Sequence, residues 1–310
     1  MIWRSQNSPR KNSRPKNNAV KGKTVVLTGA SRGIGAEISQ LFAQQGANLI
    51  GVARDPQRLA GWETDMLSLG IQAKGIVFDL NETEQIGALA EQIKQCAHTF
   101  ASGQVDILIN NAGIEIYRAF QDYRFEEIDR VIRINLLAAM TLTQQLLPVL
   151  SSQGHIVNMA SLAAKQGHPY DSVYAASKAG LLMWNHSLRQ ELSGSGQTVS
   201  AICPGYVVDC GMLADTGVKA PLFAGRSRSQ LIAQAVLKAV LHKRAEIVVN
   251  QDPLTVAFTL GLLAAEQFFP RLADVSNRWL GVTQLNQQRI RLAKAHSPKA
   301  YSPDSTVPLQ

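Results

Sequence analysis

The segment Tyr174-Ala-Ala-Ser-Lys178 places a phenol and an ammonium four residues apart, so on a helix both side chains rise from one face and can converge. A free tyrosine, with a pKa of about 10, is a poor base at neutral pH. Bringing it to about 7 takes roughly 4 kcal/mol, which one cation about 4 Å away supplies at an effective dielectric of about 20. The pair therefore suffices to move a proton on and off an oxygen. Tyr170 is an internal control, because its i+4 neighbour is Tyr174 and not a cation. Ser161 follows an apolar run at 155–159, a position from which its hydroxyl can hold a carbonyl oxygen as it becomes an alkoxide. Taken alone, a Tyr and a Lys at this spacing are an ordinary surface pair, so the rest of the chain must supply a setting.

Upstream, Thr28-Gly-Ala-Ser-Arg-Gly-Ile-Gly35 joins an apolar run to a helical pattern. Gly29 permits a tight turn, while Gly33 and Gly35 let backbone approach a pyrophosphate and the neighbouring strand with no Cβ in the way. Free N–H groups at the helix start, with Ser31, Arg32 and Ile34 between the glycines, favour anionic phosphates. This turn is expected to hold a dinucleotide. The second apolar run ends at Val52-Ala53-Arg54, where an acid would bond a ribose 2′-hydroxyl and a base would accept a 2′-phosphate. Arg54 and Arg32 predict a cationic clamp, each contributing bonds of about 1.5–3 kcal/mol, hence NADP(H) ahead of NAD(H). Asp55 argues for NAD(H), yet it precedes Pro56 and fits the cap of the next helix.

These groups need a frame. Short Val/Ile/Leu runs at 24–28, 47–53, 72–79, 105–110, 155–159, 198–203 and 246–250 alternate with helical patterns at about 33–46, 56–70, 82–102, 125–151, 172–194 and 228–243. The pattern predicts an α/β fold: a single doubly wound Rossmann domain over residues 22–250, with a seven-stranded parallel sheet and helices on both faces. Residues 206–226 break the rhythm as a mobile-looking functional loop, on which Tyr206, Met212 and Leu213 are candidate substrate contacts. Residues 251–296 read as a helical extension, with Val256, Leu260, Leu263 and Ala264 at helical spacing, as are Leu272, Val275 and Trp279. A cap over the ligand end or a subunit contact is expected there, ahead of peripheral membrane contact. Residues 297–310 are expected to be a flexible tail.

At 310 residues and 45% hydrophobic, the chain can bury a sizeable core. Its net charge of +8 sits at the ends: seven Lys/Arg and no acid in 1–23, six basic and two acidic residues in 271–310, leaving 24–270 at −3. The body is thus no basic binding surface, and nucleic acid is not expected as a partner. Residues 1–21 read as a disordered basic tail, dispensable for activity. Cys96, Cys203 and Cys210 show no CxxC spacing and the six histidines no ligand spacing, so neither a disulfide framework nor a metal site is expected. A reducing, cytoplasmic location follows, with no run suited to a secretory signal or a membrane span.

With the glycine turn, Ser161 and Tyr-x-x-x-Lys in order, the chain resembles the short-chain dehydrogenase/reductases over roughly residues 22–250. Asn110-Asn-Ala-Gly113, Asp79-Leu80, Asn135 and Pro204-Gly205 also match that family's motifs. The resemblance implies hydride transfer between a nicotinamide and an alcohol or ketone/aldehyde. Tyr174 would then move the hydroxyl proton, Lys178 would also touch the nicotinamide ribose, and a relay would run through a water and Asn135. It further implies cofactor contacts from Asp79, Leu80, Asn111, Ala112, Gly113, Pro204, Gly205 and Val207, and a homodimer or homotetramer joined through two long helices. An NADPH pool favours reduction, and the apolar loop and extension point to a lipophilic small-molecule carbonyl. The alternative is a catalytically silent NADP(H)-binding regulator or scaffold, which would be expected to lose the Tyr or Lys kept here. One departure stands out, because Tyr206-Val-Val-Asp-Cys210 carries Cys210 near the place where the family usually has threonine. His155, Asp106 and Trp184 read as core or boundary residues, and His168 as an ordinary loop residue rather than part of a substrate mouth.

Overall fold

The computed structural model describes residues 18–100, 103–221 and 225–296, so most of the predicted basic tail and all of the C-terminal tail lie outside the described residues. The described residues begin ahead of the expected boundary at residue 22, with a 3-10 turn at Asn18–Val20. Val20 is buried in the core, and the Gly22 N–H donates to the Gly46 carbonyl at 2.8 Å, which ties this entry segment down.

The chain then alternates strand and helix: β1 (Thr24–Thr28), α1 (Gly33–Gln44), β2 (Asn48–Ala53), α2 (Pro56–Ser68), β3 (Ala73–Val77), α3 (Ile86–Phe100) and β4 (Val105–Asn110). It continues through α4 (Phe125–Ile132), a π-helical turn (Arg133–Leu137), α5 (Ala138–Leu146), β5 (Leu150–Met159), α6 (Ser172–Glu191) and β6 (Thr198–Pro204). The sheet order is β3-β2-β1-β4-β5-β6 followed by a last strand at Glu246–Val249, all parallel, so the seven-stranded doubly wound Rossmann fold expected from the sequence is the observed one. β1 is buried at every position because helices cover both faces of a parallel sheet. The direction of winding reverses between β1 and β4, and a crevice opens there at the strands' carboxyl ends.

Local chemistry explains several boundaries. Asp55 caps α2 by accepting from the Arg58 N–H, with Pro56 in the first turn. Gly51 is required in β2, because a Cβ there would lie 2.5 Å from the Trp62 ring. His155 is structural, bonded through its two ring nitrogens to Thr198 Oγ1 and Ser200 Oγ, each at 2.7 Å. Asp106 braces the strand starts by accepting from Lys23 Nζ and the Thr24 N–H. The expected single helix at 125–151 is instead interrupted by the π turn at 133–137, and β5 starts earlier, at Leu150.

Part of the segment expected to be a mobile loop carries regular structure. Two-residue strands β7 (Tyr206–Val207) and β8 (Arg226–Ser227) pair in parallel, around the one-turn helix α7 (Gly211–Ala214). Asp209 accepts from the Ser229 N–H at the start of α8 (Ser229–His242), which leads to β9 (Glu246–Val249). The extension forms three helices, α9 (Pro253–Phe268), α10 (Arg271–Trp279) and α11 (Val282–His296). It packs over the ligand end: Asn277 donates to the Gly167 carbonyl, Asn286 to the Pro169 carbonyl at 2.8 Å, and Gln287 to the Tyr170 hydroxyl. Much of the apolar spacing read there does not face the core. Leu263 is buried, but Leu260, Val275 and Trp279 are exposed.

Candidate active site

A cleft of about 720 Å³ runs along the carboxyl ends of the strands. Its nucleotide end is built from backbone. Gly29 and Gly33 adopt left-handed φ values of 69° and 57°, and a Cβ on Gly35 would stand 1.9 Å from the Gly29 carbonyl oxygen. Only glycine allows strand and helix to meet so closely. Thr28 Oγ1 accepts from the Asn111 and Ala112 N–H groups at 3.0 and 3.1 Å, locking the end of β1 to the segment after β4. Arg32, at the cap position of α1, makes no side-chain cap bond, and no acid lies in the first turn. The N–H groups of that turn are thus left for an anion, which fits the pyrophosphate of a dinucleotide. Ser31, Arg32, Ile34, Arg54, Asp79, Leu80, Asn111, Ala112, Gly113, Pro204, Gly205 and Val207 all line the cleft beside the three glycines. Arg32 is also bound to Asp215 at 3.0 Å, joining the glycine turn to the loop after β6, and Cys210 lies close to Gly33.

The middle of the cleft holds Ser161, Tyr174 and Lys178. Ser161 leaves β5 and caps a 3-10 turn by accepting from the Ala163 N–H at 3.1 Å. Tyr174 and Lys178 project from the buried face of α6, 7% and 3% exposed. Lys178 Nζ donates to the Met159 carbonyl at 2.8 Å and lies over the Tyr174 ring, 5.8 Å from its centroid. This corrects the expectation of a phenol eased by an adjacent ammonium. Burial lifts the Tyr174 phenol well above its ordinary value, nearby Glu115 adds to the rise, and only the bonded Ser161 hydroxyl offsets part of it. The same burial lowers Lys178 to about 8. At neutral pH the phenol keeps its proton.

Asn135 is the one predicted site residue that does not line the cleft. It sits just behind, in the π turn, where Oδ1 accepts from the Ile114 N–H at 2.8 Å and Nδ2 donates to the Ile114 carbonyl and to Ser177 Oγ. Gly113 is the point of convergence. A Cβ there would lie 3.2 Å from Asn135 Oδ1 and 3.3 Å from Lys178 Nζ. Beneath the site, Asn110 donates to Asn158, and Asn158 to Asn185, a buried amide chain that ties β4 and β5 to α6.

The substrate end holds what the sequence did not disclose. Tyr206 and Met212 line it as expected, together with Phe258, Leu262, Leu263, Leu280 and Val282 from the extension. His168 is corrected from a bland loop residue to a wall of the cleft, stacked on Tyr206 with ring centroids 6.2 Å apart. Burial lowers its imidazole to about 4, so it is neutral at working pH. Glu115, Asp171 and Arg289 form a buried group beside Tyr174. Arg289 of α11 donates to Glu115 at 3.0 Å and to the Met212 carbonyl, and its guanidinium lies 3.6 Å from the Tyr117 ring centroid. Burial raises both carboxyl groups, with Arg289 opposing the rise at Glu115 and the mutual bond raising Asp171 further. No local motif marks these residues, and only the return of α11 brings Arg289 to Glu115.

Set against known proteins, the sequence model of the short chain dehydrogenase family matches residues 23–219. A ketoacyl reductase, HetN of Nostoc sp., is 46% identical over 86% of this chain and 92% of its own length. The 3-oxoacyl-[acyl-carrier-protein] reductase FabG of Haemophilus influenzae is 33% identical over 61% of this chain and 75% of its own. A short chain dehydrogenase of Burkholderia cenocepacia, solved in complex with NADP, superposes with a TM-score of 0.66 at 27% identity, covering 74% of this chain and 97% of that one. The glycine-built nucleotide end, the buried serine, tyrosine and lysine beside it and these likenesses lead to one conclusion: the chain belongs to the short-chain dehydrogenase/reductase family and is an oxidoreductase that interconverts alcohol and carbonyl groups of small molecules with a nicotinamide cofactor.

Proposed function

We propose that this enzyme is an NADPH-dependent reductase of a lipophilic ketone, with a 3-oxoacyl chain as the leading candidate. One observation carries the reading. A single cleft runs from the glycine turn and Arg54, past Ser161 and Tyr174, to an apolar chamber walled by Phe258, Leu262 and Leu263 of the extension. The names of the Nostoc and Haemophilus relatives support the acyl substrate class.

The carbonyl oxygen would rest between the Ser161 and Tyr174 hydroxyls, which stabilise negative charge as it develops. When bound, the reduced nicotinamide supplies the hydride. Because burial holds the Tyr174 phenol protonated, it gives its proton to the nascent alkoxide, and the products are the alcohol and a tyrosinate. Lys178, charged below about 8, stabilises that tyrosinate. Asn135 Oδ1 and Lys178 Nζ, which both lie beside Gly113, would return the missing proton from solvent by way of a water. Asn135 also holds the backbone at Ile114, and with it the floor of the cleft.

NADPH is favoured over NADH because Arg54 and Arg32 line the nucleotide end of the cleft while Asp55, the acid that follows Arg54, is committed. Asp55 caps α2 and pairs with Arg58 at 3.3 Å. Exposed Leu137 and Met183, beside α5 and on α6, suit the homodimer or homotetramer contact. The test is NADPH oxidation against a panel of 3-oxoacyl thioesters, long-chain ketones and sugars. Turnover of the lipophilic carbonyls is expected; turnover of sugars alone, or a preference for NADH, overturns the corresponding part.

A further inference from the structure

The outer face of the extension has no partner among the described residues. Over residues 253–265, α9 carries no charged residue, and its one ionisable group, Glu266, is buried and bonded to Ser276 and Gln166. A surface helix ordinarily turns charge to water. Here the outward positions are Leu254 (82% exposed), Phe258 (46%), Leu260 (45%) and Phe268 (79%), continued by Phe269 (69%) and by Trp279 of α10 (73%). At 16 residues α9 is too short to cross a bilayer, and among the described residues no helix is long and apolar enough to do so. A helix of this kind can instead lie in the plane of an interface, with aromatic side chains at headgroup level.

Charge selects the occupant. Residues 24–270 carry a net −3, whereas among the described side chains the exposed charges of α10 and α11 are Arg271, Arg278 and Arg291 against Asp274, with Asp252 at the far end of α9. Apolar surface bordered by arginines is complementary to lipid chains under phosphate headgroups. We infer that the α9–α10 face docks on the surface of an anionic phospholipid bilayer, with Leu254, Phe268, Phe269 and Trp279 entering the interface and Arg271 and Arg278 meeting lipid phosphates. Phe258 is both half-exposed and part of the cleft wall, so the docked face borders the chamber. A lipophilic carbonyl could then pass between bilayer and site without crossing water. That consequence rests on the substrate reading above; the docking does not.

The experiment is sedimentation of the full chain with vesicles of phosphatidylcholine plus phosphatidylglycerol, and with phosphatidylcholine alone. Binding to the mixed vesicles is expected to survive high salt in part, because apolar insertion is not screened. The double variant Phe268→Glu/Trp279→Glu should lose tenfold or more of its partitioning, on the order of what burying such side chains contributes. Arg271→Gln and Arg278→Gln should each lose about fivefold. Bromine-labelled lipid should quench tryptophan emission in the unmodified chain and not in Trp279→Phe, a readout that does not depend on how well the glutamate variant folds. Absence of vesicle binding overturns the inference. So does undiminished binding by the double variant, which would place the contact elsewhere, for example in the basic residues 1–23. Conversion of an oligomer to a monomer by that variant also overturns it, since the face would then be a subunit contact. All these measurements are made without turnover, so their failure leaves the reductase reading untouched.

Discussion

At one end of the cleft the wall is backbone, and at the other it is side chains. The nucleotide end comes from a few contiguous turns, with Gly29, Gly33 and Gly35 in one segment and Asn111 to Gly113 in another, joined by Thr28. The substrate end is assembled from distant parts of the chain. Arg289 reaches back to Glu115, Asn286 to the Pro169 carbonyl, and Gln166 donates to Glu266. A cofactor shared by many proteins can be held by N–H groups that every sequence possesses, whereas a particular substrate needs side chains that only tertiary packing can gather. The comparison implies that the two ends respond separately to substitution, with Tyr174, the proposed proton donor, between them.

The sharpest test removes that group. Tyr174→Phe should lower kcat by about 10²–10⁴ and leave the KM values for cofactor and ketone nearly unchanged, since the phenol acts on rate. Undiminished turnover would move the chemistry away from the middle of the cleft. Next, Arg289→Met leaves Glu115 buried without its cation and should cost about 3–5 kcal/mol of stability by denaturant unfolding. Glu115→Gln added to the same chain should restore most of it. If the single variant unfolds like the parent, the extension is not clamped through this pair.

Arg54→Ala probes the other end. It should raise the KM for NADPH about tenfold to a hundredfold, with that for NADH hardly changed and stability intact. An equal loss with both cofactors would show that the arginine does not read the 2′-phosphate. The smallest effect is in pH. Burial places Lys178 at about 8, so its ammonium is present below that value and lost above it. Ketone reduction should therefore be level below about 8 and fall by up to about tenfold per pH unit above, a limb that Lys178→Arg should flatten. The stability term runs the other way. Because the folded value lies below lysine's ordinary 10.5, folding disfavours the charged form, and this group's contribution to stability rises with pH between about 8 and 10.5.

Much of this was readable in one dimension. Short apolar runs and period-3.6 patterns gave the order of strands and helices, because parallel strands buried on both faces leave unbroken Val/Ile/Leu runs. Asp55-Pro56 announced its helix, the glycine turn lay in one short segment joining β1 to α1, and Tyr-x-x-x-Lys lay within a single helix whose spacing fixes its geometry. Other features were not readable. Nothing in Ala-Gly-Ile-Glu115 or in Arg289-Ile-Arg291 signals a buried ion pair, and apolar spacing in α9 shows that a face exists without saying whether it turns inward.

The sequence by itself determined the sheet, the glycine turn and the placing of Tyr174 and Lys178 on one helix face, since each depends on residues close along the chain. Tertiary structure alone decided that the tyrosine is buried and protonated, that a carboxyl pair and a returning arginine stand beside it, and that the extension roofs the chamber while leaving an apolar face outward. Those properties depend on desolvation and on contacts between residues far apart in the chain, and neither quantity exists until the chain has folded.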